Sequence, residues 1–250
     1  MKKYIIILLT ILLTYGLQGQ TKRAQYFDDL IESHDIPGLS IVLIEDGKVV
    51  YNSGHGVRAH DTKVPVDPQT IFSAASLSKP VFAYAVMKLV ESGEFDLDRP
   101  LYQYLEFEDL AYDERYKRIT ARMVLSHSSG LPNWRNGKLA LQFDPGKRYS
   151  YSGEGFVYLG KVIAHLQQKE IGQVIEELVF RPLEMTNSSF SWEDRFETNF
   201  APPHDFMGYP IPKRKRRRSN VAASLQTTAE DYAKLILALL HDVERKQPIT

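Results

Sequence analysis

Cysteine is absent from all 250 residues, which excludes a disulfide framework, a lipid-modified cysteine, thiol catalysis and any zinc site built on thiolates. Net charge is absent as well: 31 Lys and Arg stand against 31 Asp and Glu, so the overall balance draws the chain toward no nucleic acid. There is no Gly-rich phosphate loop, no Gly-x-Ser-x-Gly elbow and no His-Glu-x-x-His spacing, and with them go the commonest signatures of nucleotide and metal sites. Neither a cofactor nor a metal is expected. Internal repeats and low-complexity stretches are also missing. The longest apolar run, Tyr4 to Leu13, falls short of the ~20 residues that a membrane-spanning helix needs.

What is present is ordinary for a globular enzyme, with 43% hydrophobic and 25% charged residues. Lys2 and Lys3 precede the apolar run, which ends before Tyr15-Gly16-Leu17-Gln18-Gly19-Gln20. That order of charge, apolar core and small polar residues reads as a signal peptide over residues 1–20, cleaved near Gly19 or Gln20. The run is too short to favour the alternative of an uncleaved anchor. Residues 21–250 then form the working domain, exported to the periplasm or the extracellular space.

A helix is expected from about Lys22 to Ser33. From Leu39 to Val57 apolar residues alternate around Asp46-Gly47 as a β-hairpin, the turn pair taking positive φ readily. Residues 77 to 93 carry Val81, Phe82, Val86, Leu89 and Val90 on one helical face, with Gly93 as a C-cap. Further helices are expected at about 120–127, 153–168, 171–180 and 228–242. A hairpin this apolar needs further strands or covering helices, yet no second strong hairpin is visible before Thr250.

The segment Ser73-Ala74-Ala75-Ser76-Leu77-Ser78-Lys79-Pro80 runs from a loop into the helix at 77–93. Ser76 and Lys79, three apart at a helix start, share a face, which selects Ser76 over Ser73 and Ser78. A serine hydroxyl is a poor nucleophile unless a base takes its proton, and a nearby lysine can serve as that base. The helix N-terminus favours negative charge developing at Ser76. Alone, Ser-x-x-Lys is expected roughly once by chance in such a chain, and its bland reading is a capped helix with a surface lysine.

Context raises it. Residues 70–104, from Thr-Ile-Phe-Ser-Ala-Ala-Ser-Leu-Ser-Lys-Pro to Leu-Tyr-Gln-Tyr, resemble the nucleophile helix of the class C β-lactamase and penicillin-binding-protein-like serine hydrolases. In the same order follow Leu125-Ser126-His127-Ser128-Ser129-Gly130-Leu131-Pro132, Tyr149-Ser150-Tyr151-Ser152-Gly153, Arg181-Pro182-Leu183-Glu184-Met185 and Leu225-Gln226-Thr227-Thr228. The likeness covers about residues 25 to 242. It implies an α/β (α+β) fold of the β-lactamase/transpeptidase type, an antiparallel sheet flanked by helices with an all-helical subdomain. It also places Tyr151 as the tyrosine of the family's Tyr-x-Asn element, which moves protons between nucleophile and leaving group, and His127 as a packing residue.

Two departures accompany the likeness. Gly153 stands where the family commonly has Asn, removing an amide from the substrate-binding edge and disfavouring efficient β-lactam hydrolysis. The family's third motif, Lys-Thr-Gly or His-x-Gly on a strand that supplies one oxyanion donor, does not occur after Tyr151. Loss of one such donor typically costs about 10²–10³ in turnover. The reading is therefore a C-terminally shortened member with an incomplete sheet, acting on a peptide, β-lactam or ester carbonyl through an acyl-serine and more peptidase- or esterase-like than β-lactamase-like. A cell-wall peptide is one such substrate. The alternative is a truncated homologue that serves as a binding module or has no independent activity. Finally, Lys213-Arg214-Lys215-Arg216-Arg217-Arg218 reads as a solvated loop, or as a weak contact for an anionic surface.

Overall fold

The computed structural model describes residues 19–244, so most of the expected signal peptide lies outside the described residues. Among them no helix is long and apolar enough to cross a membrane.

Helix α1 spans residues 19–33 and leads into β1 (Gly38–Glu45) and β2 (Lys48–Gly56), paired antiparallel from Gly38↔Gly56 to Glu45↔Lys48. The turn between them has φ of 50° at Asp46 and 68° at Gly47. Two successive positive φ values match the twist of the flanking strands, which is why an Asp-Gly pair sits there. Phe27 and Ile31 of α1 are buried beside Tyr51 and His55 of β2. A polar chain crosses the same junction: Asp28 Oδ1 lies 2.8 Å from His55 Nδ1, and His55 Nε2 lies 2.9 Å from the Tyr51 hydroxyl.

A second antiparallel pair was not legible in the sequence. β3 (Phe72–Ala75) joins β4 (Leu225–Thr227), with Phe72 opposite Thr227. Strands of four and three residues are too short to display a period. The two sheets remain separate among the described residues. Between them lies an apolar groove of about 560 Å³, lined by Leu39, Val42 and Ile44 of β1, Phe72 of β3 and residues that follow β4.

α2 (Ser78–Glu91) forms the centre of the molecule, with Val81, Phe82, Ala85, Val86 and Leu89 at most 1% exposed. Its end is closed by Gly93 at φ 78°, whose N–H reaches Val90 O while Glu94 N–H reaches Leu89 O. These paired bonds satisfy carbonyls that a helix end leaves open. α3 (Ala121–Leu125) is shorter than expected, because His127 takes φ 56° and turns the chain away. α4 (Glu154–Gln167) and α5 (Ile171–Ile175) pack near α2, and the helix expected at 171–180 changes to a π turn over Glu176–Phe180. α6 (Ala229–Glu244) packs against β1. The main core joins these elements through Phe82 against Phe156, at 6.1 Å and edge-on, and Phe107 stacked on Tyr158 at 4.4 Å. Full burial of each such side chain contributes about 1.5–3 kcal/mol.

Candidate active site

β3 delivers Ser76 to the mouth of α2. Ala75, directly before it, has φ 44°, a left-handed conformation that costs an L residue roughly 1–3 kcal/mol and turns the chain sharply from strand to helix. The turn is tied by Leu77 N–H to Ala74 O at 2.9 Å and Lys79 N–H to Ser76 O at 3.1 Å. Three serines compete at this corner, and their surroundings differ. Ser73 Oγ accepts from Lys213 Nζ at 2.6 Å. Ser78 is fully buried, donates to Ala75 O and accepts from Leu225 N–H at 3.0 Å, so its hydroxyl fastens α2 to β4. Ser76 Oγ alone meets Lys79, whose Nζ donates to it at 3.3 Å.

Lys79 is 5% exposed. A buried ammonium requires partners, and Lys79 Nζ finds a second one in Ala222 O at 2.8 Å. It also lies over the rings of Tyr151 and Phe156, 4.7 and 5.7 Å from their centroids. Tyr151 is 37% exposed. Burial pushes its phenol up, but hydrogen bonding to Lys79 and Ser76, together with the Lys79 charge, outweighs burial and leaves it below the ordinary tyrosine value. Opposite charge and hydrogen bonds to the ionised form act in this direction. The structure thus brings Ser76, Lys79 and Tyr151 together.

His127 supports the tyrosine. Its Nδ1 accepts the Ser152 N–H at 3.0 Å, and its ring lies 4.5 Å from that of Tyr151 and 5.3 Å from that of Phe156. Burial, then the charge on Lys79, holds His127 below its ordinary value, which keeps Nδ1 available as an acceptor. Ser152 in turn accepts the Gly155 N–H at 2.9 Å and donates to Pro132 O, fixing the start of α4.

Gly153 stands at the N-terminal boundary of α4. A Cβ added there would lie 2.5 Å from Asn133 O, 3.0 Å from Trp134 Cη2 and 3.1 Å from Asn133 Oδ1. The 132–135 loop therefore occupies the space that a side chain at 153 would need. It is held there by Asn133 O, which accepts from Gly153 and Glu154 N–H, and by Arg135, which pairs with Glu154 at 2.9 Å. Sequence reasoning singled out Gly153 without Asn133 or Trp134. It also passed over Ala222, whose part is played by a carbonyl that every residue type possesses.

The basic run is divided by the fold. Lys213, Arg214 and Arg216 line a cavity of about 570 Å³ together with Trp134 and Trp192, whereas Lys215 pairs with Glu197 and Arg217 with Asp194. Lys213 is half-buried and Arg214 to Arg218 are exposed, so the run is a solvent-exposed loop of which three residues also border a cavity.

A family model described as Beta-lactamase matches residues 23–249. The chain is 28% identical to Protein flp of Staphylococcus aureus over 211 residues, taking in 75% of this chain and 41% of that one. It is 27% identical to Esterase EstB of Burkholderia gladioli over 223 residues, or 76% of this chain and 55% of the other. It therefore spans about half the length of these curated relatives or less. In three dimensions it is similar to the octameric penicillin-binding protein homologue from Pyrococcus abyssi, with a TM-score of 0.75 and 26% identity over 92% of this chain and 58% of that one.

Proposed function

The chain belongs to the Beta-lactamase family, and from that premise we propose that it is a serine hydrolase in which Ser76 is the acylated residue, with Lys79 and Tyr151 moving its proton. The observation that carries the reading is the Lys79 Nζ to Ser76 Oγ contact at 3.3 Å beneath a tyrosine whose phenol is held below its ordinary value.

The hydrogen-bond direction orders the roles. Lys79 donates to Ser76 Oγ, which leaves the serine proton free to pass to the Tyr151 oxygen. Oγ then bonds to the substrate's carbonyl carbon, and the carbonyl electron pair moves onto oxygen, the backbone N–H of Ser76 being the proposed donor to it. When the carbonyl reforms, the bond to the leaving group breaks and the leaving nitrogen or oxygen takes the proton from Tyr151. Water repeats the sequence on the acyl-serine: it loses a proton to Tyr151, adds to the ester carbon and releases the acid, and Ser76 Oγ recovers the proton. Tyr151 thus begins and ends each half-reaction as the phenolate, which Lys79 stabilises, and carries the proton as a phenol in between.

Among acyl substrates, the packed 132–135 loop beside Gly153 supports esters or peptides over β-lactams, and similarity to Esterase EstB points the same way. A cell-wall peptide remains within this class. Export to the periplasm or extracellular space, through the N-terminal residues 1–20, belongs to the same proposal, as does the assignment of residues 21–250 to the hydrolase domain. Incubation with a fluorophosphonate probe and with 4-nitrophenyl acetate tests it. Labelling and ester hydrolysis are expected from the wild type, and both should vanish in Ser76→Ala. A folded wild type that neither labels nor hydrolyses overturns the catalytic reading and leaves a binding module.

A further inference from the structure

We propose that the cavity lined by Trp134, Trp192, Lys213, Arg214 and Arg216 is a subsite for a carboxylate or phosphate carried by the substrate. As an anion site it stands on its own geometry. As a substrate subsite it rests on the reading of Ser76 as the acylated residue.

Charge comes first. The lining contains three cationic side chains and no Asp or Glu. The neighbouring cations of the run are already matched, Lys215 with Glu197 and Arg217 with Asp194 at 2.7 Å, while Arg214 and Arg216 pair with no carboxylate among the described residues. Lys213 is held by Ser73 Oγ at 2.6 Å and lies 5.5 Å from the centroid of Phe200. Burial, then the charge on Arg216, depresses Lys213 below its ordinary value. Like charges gathered in a partly enclosed space repel one another, and an oxyanion between them removes that repulsion and forms charge-assisted hydrogen bonds.

The walls agree. Trp192 is 4% exposed, and its indole nitrogen is buried with no hydrogen-bond partner, as is the side-chain oxygen of Gln226 on the same lining. Buried polar groups are normally satisfied, so two unsatisfied ones on residues of the same lining mark this wall as unusual among the described residues. The backbone of Arg216 is fixed by its carbonyl, which accepts the backbone N–H of Trp192 at 2.7 Å. A volume of about 570 Å³ falls within the range of small-molecule sites.

Position connects the cavity to the chemistry. Lys213 grips Ser73, three residues before Ser76. The lining residue Ala223 follows Ala222, whose carbonyl holds Lys79. Trp134 packs over Gly153, two residues after Tyr151. Three of the lining residues thus touch, or directly follow a residue that touches, a segment bearing one of the three site residues.

Trp134 and Trp192 are the only tryptophans in the chain, so intrinsic fluorescence reports on this cavity directly. Titration with glutarate should give a saturable change in tryptophan emission. Dimethyl glutarate, the same skeleton without charge, should give none. Arg214→Gln combined with Arg216→Gln should weaken glutarate binding at least tenfold, and Lys215→Gln combined with Arg217→Gln should leave it unchanged, with circular dichroism confirming that both are folded. No saturable response to glutarate or inorganic phosphate, an equal response to the diester, or wild-type binding by the 214/216 variant overturns the proposal. Phosphatidylglycerol vesicles that bind wild type and lose binding equally with either double variant would assign the run to a surface contact and overturn it too. Fluorophosphonate labelling of Ser76 in parallel separates the two readings: anion binding without labelling rejects only the role as substrate subsite, and labelling without anion binding rejects only the subsite.

Discussion

Lys79 Nζ donates to the carbonyl oxygen of Ala222 at 2.8 Å across 143 residues of sequence, and this bond fixes the amine where it meets Ser76 and Tyr151. Without Lys79, Tyr151 loses the charge and one of the two hydrogen bonds that hold its phenol down, and only the Ser76 hydroxyl remains to oppose the upward push of burial. Lys79→Ala should therefore lower ester hydrolysis about 10²–10⁴-fold, the range for losing general acid–base assistance. The sign for pH follows. The rate of the wild type should rise as Tyr151 ionises, with an inflection below the ordinary value of 10.0, and the residual rate of Lys79→Ala should rise only at higher pH. A pH–rate profile of both proteins measures the shift. An inflection at the same pH in each would remove Tyr151 from the proton path.

Gly153 lies against Asn133, and the contact is to backbone. Because a Cβ there would meet Asn133 O at 2.5 Å, Gly153→Asn does not simply supply a side-chain amide. The 132–135 loop must shift, breaking the bonds that Asn133 O accepts from Gly153 and Glu154. Overpacking of this kind costs typically 1–3 kcal/mol. Gly153→Asn should unfold at lower denaturant and show no gain in hydrolysis of a chromogenic cephalosporin. Wild-type stability with β-lactam turnover would show instead that the loop yields without cost.

These two sites mark what the sequence discloses. Helical spacing placed Ser76 and Lys79 on one face, but only the surrounding family resemblance singled the pair out, whereas the hairpin was legible because Asp46-Gly47 states its turn. Tyr151 came from resemblance, since nothing local places it near residue 76. The pairing of β3 with β4 was not legible, because seven residues separated by about 150 positions hold no periodicity and depend on tertiary contacts such as Ser78 to Leu225. Nor was the division of the basic run: six like residues in a row give no clue to which of them meet Glu197 and Asp194 and which face the cavity.

His127 makes the Tyr151 segment sensitive to acid. Its folded-state value lies below the ordinary 6.5 because of burial and Lys79, so between those two values the unfolded chain binds more protons than the folded one. Stability from His127 is then fully present above pH 6.5 and is lost as pH falls through the depressed value. Protonation also removes Nδ1 as acceptor for the Ser152 N–H. Wild type should lose stability in mild acid more steeply than His127→Gln, as read from denaturant midpoints between pH 7.5 and 5. Parallel curves for the two proteins would assign the acid response to other groups.

Ser78 and Ser76 are two residues apart with opposite surroundings, and their alanine variants should separate stability from chemistry. Ser78→Ala leaves the buried Leu225 N–H without its acceptor, and stranding a buried donor costs about 1–3 kcal/mol. It also loosens the joint between α2 and β4, but it removes no atom from the contact between Lys79 and Ser76. Thermal unfolding of Ser78→Ala should therefore shift down by several degrees, as a change of that size implies, while fluorophosphonate labelling at low temperature persists. Ser76→Ala should do the reverse, because the hydroxyl it removes is exposed and Lys79 keeps Ala222 O as a partner. Labelling that disappears in Ser78→Ala while the protein remains folded would transfer the nucleophile's role to the wrong side of the helix start and contradict the geometry of the corner.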